Sequence, residues 1–350
     1  MITLGSNSCV NISCPSSFAT GGTELLHQLG FKLKKMGIPV KMYYYDYIFT
    51  EKKESPVCDR FRKYDIDYTL EMKDSEGALF IIPEIALYLV NKLKKSKAVI
   101  WWLSVDSYLS TKKRYSDFRY KKLAVKNFIL GRFDVAMAYS SMNTFNPFSS
   151  KETGLSHWVQ SEFAKDFLIR NGIHHKNIAC LSDYLNEDFI KSNDFTTNSA
   201  ERADRILYNP LKGIESTLKI RNAGNHLEFV PLQNLSPIEV AKLLQTSKVY
   251  IDFGNHPGKD RIPREAAISG AVVITNKKGS AAFKKDVPID DQYKIEETDG
   301  FEIKVLNMIE DIFVNFEKHY NQFDDYRNMI RNEEKKFDED LTHLIEFRKP

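Results

Sequence analysis

Short apolar runs rich in β-branched and aromatic residues alternate along almost the whole chain with longer stretches in which apolar residues recur every three or four positions. Such alternation is produced by strand-helix-strand units, whose strands are buried on both faces and pair in parallel. The fold class it predicts is α/β. In the first half strands are expected at Ile2–Leu4, Val40–Tyr44, Ala78–Ile82, Val99–Leu103, Val135–Tyr139 and His157–Val159. Helices are expected at Thr23–Met36 and Ile85–Leu93. The first of these sets Leu25, Leu26, Leu29, Leu33 and Met36 on one stripe, with Lys32, Lys34 and Lys35 in its last turns, where cations suit the helix dipole, and Gly37 just beyond.

The alternation pauses between Asp183 and Asp204, in a polar stretch containing Ser192-Asn193-Asp194 and Thr196-Thr197-Asn198-Ser199, and then restarts. The pause predicts two doubly wound, Rossmann-like domains at 1–185 and 204–323, a linker at 186–203, and a terminal helix over 324–350 that packs back on the first domain. In the second half strands are expected at Ile206–Tyr208, Glu228–Pro231, Val249–Phe253 and Val272–Thr275. Helices are expected at Gly213–Arg221, Pro237–Thr246, Ile262–Ser269 and Gly300–His319. Ligands of such folds sit beyond the carboxyl ends of the strands, so a site is expected between the halves.

Composition narrows the setting. The longest apolar runs, such as Ala78–Ile82 and Ala98–Leu103, fall far short of the ~20 residues that cross a bilayer. The opening residues Met1–Asn7 have neither a basic region nor an apolar stretch of the secretory kind, which leads to an expectation of cytoplasmic residence. Cys9, Cys14, Cys58 and Cys180 contain no C-x-x-C pair and are expected to be packed thiols. The net charge of +3 is unevenly spread: residues 1–185 hold 26 Lys and Arg against 18 Asp and Glu, and residues 186–350 hold 24 against 29. Between 110 and 132, Lys112, Lys113, Arg114, Arg119, Lys121, Lys122, Lys126 and Arg132 face one acid, Asp117. That cluster suits an anionic membrane surface at the inner face of the cell membrane. No nucleic-acid motif accompanies it, and nucleic acid is not expected as a partner.

Three loops carry residues fit for chemistry. Phe18-Ala19-Thr20-Gly21-Gly22-Thr23-Glu24 precedes the first amphipathic helix; paired glycines let a backbone approach a ligand, and the first N–H groups of the helix suit an anion. Tyr208-Asn209-Pro210-Leu211-Lys212-Gly213 follows the first strand of the second half and offers a lysine to a phosphate. The densest loop runs from Asp252 through Gly254, His256, Gly258, Lys259, Asp260, Arg261 and Arg264 to Glu265. A carboxylate at Glu265 can accept two ribose hydroxyls, while Lys259, Arg261 or Arg264 can neutralise a diphosphate. After the next strand, Lys277-Lys278-Gly279-Ser280 offers a further backbone nest.

With these loops the chain resembles, over nearly its whole length, the two-domain GT-B glycosyltransferases, and most closely the bacterial group-1, family-4-like members. Gly21, Gly22, Glu24, Gly37 and Val40 match the family's opening; Lys212-Gly213 matches its donor-domain lysine-glycine pair; Glu265, Ala266, Gly270, Val273 and Ile274 match its glutamate helix and following strand. The resemblance implies transfer of a sugar from a nucleotide diphosphosugar to a glycan or lipid-linked acceptor. It also implies a ribose role for Glu265, and the family's setting points to bacterial capsule or lipopolysaccharide assembly. The chain departs from the retaining members in two ways. Pro257 stands where they carry a first acid eight residues before Glu265, and Tyr208-Asn209-Pro210 replaces their arginine. Arg261 or Arg264 would then take the arginine's place, with Asp260 or His256 against the sugar, and the stereochemistry stays open.

Helix N-termini with Lys and Arg can stabilise a leaving diphosphate, so no metal or other cofactor is expected. An inverting reaction also needs a base from the first half. Asp106, just past the strand ending in Trp101-Trp102-Leu103, is the first candidate for it, and Glu84, after Ala78–Ile82, is the second. Trp101 and Trp102, His27 and His157 read as core residues, and His174-His175 lacks a third metal ligand. Two other readings are compatible with the sequence: a nucleotide-sugar epimerase of the same architecture, and a non-catalytic nucleotide-sugar binder.

Overall fold

The computed structural model describes residues 1–16, 19–50, 55–114, 117–142, 145–149, 154–186, 190 and 202–348. Phe18 and most of the expected linker lie outside the described residues. The chain divides into two compact units. One comprises Met1–Gln160, Ala164–Leu181 and Asp338–Pro350, and the other Ser161–Phe163 and Ser182–Phe337.

The first unit is built on a seven-stranded parallel sheet. Its elements are β1 (Ile2–Leu4), β2 (Cys9–Cys14), α1 (Gly21–Lys35), β3 (Val40–Tyr44), β4 (Tyr68–Thr69), β5 (Ala78–Pro83), β6 (Lys97–Trp102), α2 (Val105–Arg114), α3 (Asp117–Ile129), α4 (Phe133–Ser140), β7 (Ser156–Val159), α5 (Glu162–Arg170) and β8 (Ile178–Cys180). The strand order is β4-β3-β2-β5-β6-β7-β8. All six residues of β5 are buried, as a strand covered on both faces requires. Each fully buried Val, Ile or Leu of such a strand stabilises the fold by about 1.5–3 kcal/mol. Trp101, Trp102 and Trp158 are all core residues. The Trp101 indole donates to the Leu181 carbonyl at 3.1 Å and the Trp102 indole to His157 Nδ1 at 3.1 Å, which satisfies the polar end of both buried rings.

Two expectations for this half are corrected. Ile2–Leu4 is a strand but stands outside the main sheet, pairing in parallel with Ile345–Phe347; the strand that leads to the Gly21-Gly22 loop is β2. Its polar Asn11 and Ser13 break the apolar run that would have marked it. Val135–Tyr139 lies inside helix α4, because Ala136, Met137 and Ala138 favour helix once Gly131, at φ 71°, has turned the chain.

The second unit holds β9 (Ala203–Tyr208), α6 (Ile214–Ala223), β10 (Glu228–Pro231), α7 (Pro237–Thr246), β11 (Ser247–Asp252), α8 (Arg261–Ile268), β12 (Val272–Thr275), α9 (Phe301–Val314), α10 (Phe316–Asn321) and α11 (Asp324–Arg331). Its parallel sheet has the order β10-β9-β11-β12. The expected helix from Gly300 breaks at Asn315, with φ −113° and ψ 38°. The terminal segment forms α11, then α12 (Glu333–Leu344) and β13 (Ile345–Phe347). Within the first unit, Asp338 takes the buried Lys32 ammonium at 2.8 Å and β13 pairs with β1.

Candidate functional site

Parallel pairing sets the carboxyl ends of β9, β11 and β12 side by side, and the loops leaving them meet. The meeting is tight enough to dictate sequence. A Cβ on Gly213, at φ 59°, would lie 2.2 Å from the Phe253 carbonyl oxygen; one on Gly279, at φ 51°, would lie 2.1 Å from that of His256. The distances admit no other residue, and the left-handed dihedrals favour glycine as well. The glycines of the two Lys-Gly pairs therefore serve the approach of the middle loop, residues 253–258, rather than that of a ligand. Ser280 completes the seam: its N–H donates to the His256 carbonyl at 2.8 Å and its hydroxyl to Gly258 O at 2.7 Å. Asn276 donates to Gly254 O at 2.8 Å and to Glu297 Oε2 at 3.2 Å, and Lys278 pairs with Glu297 at 2.5 Å.

Inside this seam lies a quartet of ionisable side chains, Lys212, Asp252, His256 and Asp260. His256 is 1% exposed, at a left-handed φ of 48°, with Nδ1 3.1 Å from Asp260 Oδ2 and Nε2 3.2 Å from the Asp252 carbonyl. Lys212 Nζ reaches Asp260 Oδ1 at 2.6 Å, while Asp252 accepts from Tyr250 OH and Gly254 N–H, each at 3.0 Å. Burial disfavours the His256 cation, but the hydrogen bond to Asp260 and the charges of Asp252 and Asp260 outweigh it and raise its pKa. Burial likewise opposes ionisation of Asp260, and His256 with Lys212 outweighs it, so this carboxyl is held below its ordinary value. Asp252 is raised by burial. Asp252, His256 and Asp260 stand close enough to hold a cation. However, His256 spends one ring nitrogen on each side, and Lys212 already neutralises Asp260.

Two expected donor-binding cations are corrected. Arg264 is 1% exposed and donates to Asp183 Oδ2 at 2.5 Å and Glu333 Oε2 at 2.8 Å. Lys259 pairs with Glu333 Oε1 at 2.7 Å and Ser182 Oγ at 3.1 Å. A guanidinium so enclosed is fixed by its carboxylates and cannot turn to a diphosphate. Arg261 differs: its side chain is 24% exposed and lies 3.3 Å from Glu265 Oε1, itself 12% exposed on the second turn of α8. Lys212 is 38% exposed. Arg261 and Lys212, with Lys278 at 52% exposed, are thus cations of this edge that keep contact with solvent, and Glu265, Asp260 and Glu297 are acids of similar partial exposure beside them. Asn276, Glu297, Asp183 and Glu333 were missed in the sequence, and Asp252 was read only as the start of the loop.

In the first unit Gly21 is exposed and Gly22 half-buried, and a Cβ on Gly22 would make only ordinary contacts, the nearest at 3.6 Å to Leu103 Cδ1. Packing does not demand that glycine. Thr23 is engaged in a capping box with Thr20, whose N–H reaches Thr23 Oγ1 at 2.8 Å. Glu24 is buried against Arg60 at 3.0 Å. Asp106 sits half-buried in the first turn of α2, at the carboxyl edge of the seven-stranded sheet. Glu84 is buried and accepts the Leu103 N–H at 2.9 Å, tying the end of β5 to the loop after β6; burial raises its pKa to about 7. It also borders a small cavity of about 90 Å³ with Tyr88, Tyr108 and Tyr120. A second cavity, of about 360 Å³, is lined by Tyr43, Tyr45, Phe49, Tyr88 and Lys92. His27 bonds Thr23 O at 2.7 Å and Tyr44 OH at 2.8 Å, and burial lowers its pKa to about 4.

No protein-family model and no curated sequence matches the chain. Solved structures do. Sucrose-phosphate synthase from Thermosynechococcus elongatus aligns over 97% of this chain and 98% of its own, with a TM-score of 0.58 at 11% identity. The lipopolysaccharide outer core galactosyltransferase WaaB in its apo form aligns over 96% and 99%, at 0.59 and 11%. HepE of Anabaena in complex with UDP-glucose aligns over 96% and 100%, at 0.55 and 11%. The chain has the GT-B fold. In this GT-B chain the sheet edge of the second unit carries the glycine seam, the quartet and the Arg261–Glu265 pair together.

Two outcomes follow from the buried charges. R264M leaves the buried Asp183 and Glu333 carboxylates with Lys259 as their one remaining cation among the ion pairs described and is expected to lower stability by about 3–5 kcal/mol in urea denaturation. The Glu84 carboxyl is raised above its unfolded value of 4.5, so its ionisation weakens the fold from about pH 4.5 upward and does so fully above about pH 7. E84Q should therefore raise Tm relative to wild type at pH 8, with the gain vanishing toward pH 4.5. A gain independent of pH would contradict the burial of that charge.

Proposed function

We propose that this protein is a glycosyltransferase that moves a hexose from a nucleotide diphosphosugar to a glycan or lipid-linked acceptor, in the assembly of a bacterial surface polysaccharide. The observation that carries the reading is the partly exposed Arg261–Glu265 pair with Lys212 on a GT-B sheet edge, where α6 and α8 both begin. Glu265 accepts the ribose hydroxyls. Arg261, Lys212 and the first N–H groups of α8 face the diphosphate and stabilise its departure without a metal. Gly213, Gly258, Gly279 and Ser280 hold the loop that presents them. His256 is too enclosed to touch the sugar and acts by holding Asp260, leaving Asp260 the nearer of the two to the donor.

On the acceptor side, Gly21 and Gly22 form the open loop and Asp106 is the carboxylate placed to take a proton from an attacking hydroxyl. The presence of HepE bound to UDP-glucose among the similar structures favours a uridine nucleotide as the first donor to try. The cationic stretch 110–132 would bring the enzyme to the anionic inner face of the membrane where a lipid-linked acceptor resides.

Thermal shift against uridine, guanosine and thymidine diphosphosugars tests the donor, since stabilisation tracks occupancy. By calorimetry, E265A should weaken nucleotide binding by about 1–3 kcal/mol; unchanged affinity would remove Glu265 from the ribose. D106N should give folded protein with little transfer activity, and retained turnover would exclude Asp106 as the base.

A further inference from the structure

Among the described residues, the outer face of α3 and α4 gathers exposed apolar side chains that the proposed chemistry does not use. Phe118, Val125, Phe128, Ile129, Phe133 and Met137 are each between 59% and 76% exposed. On α3, Phe118, Val125 and Ile129 recur at helical spacing with Lys121, Lys122 and Lys126 and line an open groove of about 690 Å³. The inner face packs on the unit through Tyr120 and Asn127, both 7% exposed, so the helix is held with its apolar stripe outward. Phe128 and Phe133 meet edge to face at 5.4 Å across the Gly131 turn, which places two aromatic rings at the tip of the helix pair. Lys122 lies over the Phe118 ring at 4.7 Å, its aliphatic stem along the stripe.

An apolar stripe of this extent on a soluble surface marks a partner, and two classes compete for it: a second copy of the chain, or a bilayer. Charge decides between them. The stretch 110–132 carries eight cations against one acid, so two copies meeting face to face would bring like charges together. Anionic headgroups would neutralise those charges while acyl chains cover the aromatic tip. No helix among the described residues is long and apolar enough to cross a membrane, and α3, at roughly 20 Å, suits lying in the interfacial plane.

We propose that α3 and α4 form a bilayer-embedding element: Phe128, Ile129 and Phe133 enter the acyl boundary of an anionic membrane and Lys121, Lys122 and Lys126 bind its headgroups. This deepens the electrostatic contact proposed above and rests on it, adding insertion to surface attraction.

Flotation with vesicles of phosphatidylcholine alone, or mixed with phosphatidylglycerol, tests it on the full chain. Wild type should float only with the mixed vesicles, and the paired substitutions Ile129→Ser and Phe133→Ser should reduce partitioning by about tenfold or more. In that variant uridine diphosphate affinity and circular dichroism should be unchanged. Insertion is read separately. I129W adds an exposed indole to a chain whose three tryptophans are buried, and brominated acyl chains should quench it. Flotation without quenching would overturn insertion and leave surface attraction standing; absence of flotation with phosphatidylglycerol would overturn both. Concentration-dependent dimerisation abolished by the serine pair would assign the face to a second copy instead.

Discussion

The second unit depends on one steric fact: a Cβ on Gly213 or Gly279 would lie within about 2.2 Å of the backbone of a third loop. These distances leave no room for a Cβ, so the observed approach of the loops after β9, β11 and β12 requires glycine at both positions. Their hydrogen bonds through Ser280 and Asn276 then fix it. Charges held in place by such a network need no reorganisation to bind a leaving group, which is the condition the proposed chemistry requires.

The cations of the second unit divide by task. Arg264 and Lys259 lie in an enclosed cluster with Asp183 and Glu333, where removing one partner leaves charge stranded. Lys212 and Arg261 keep partial exposure, and they are the cations proposed to face a phosphate. His256 stands between the two groups. It is buried like Arg264, yet through Asp260 it sets the position and charge of the carboxylate that Lys212 holds.

Much of the fold was legible because parallel strands buried on both faces write themselves as unbroken apolar runs, as at Ala78–Pro83 and Val272–Thr275. β2 was not legible, since Asn11 and Ser13 interrupt its run, and α4 read as a strand because five apolar residues carry no period of their own. The same limit applies to the site. Lys212, Gly213, His256, Asp260, Arg261, Glu265 and Gly279 stand in local patterns and could be named. The enclosure of Arg264 by Asp183 and Glu333 could not be read, since those partners lie 81 and 69 residues away in sequence. A local pattern shows that a cation is present, and only the long-range partners show whether it is free to act.

The central claim is that the carboxyl edge of the four-stranded sheet holds the nucleotide part of the donor. Amide hydrogen exchange with and without uridine diphosphate measures it most directly. The account predicts slowed exchange confined to the 210–215, 254–265 and 276–281 segments, with the strands of the seven-stranded sheet unchanged. Slowing confined to the first unit, with those three segments unaffected at saturating nucleotide, would contradict it.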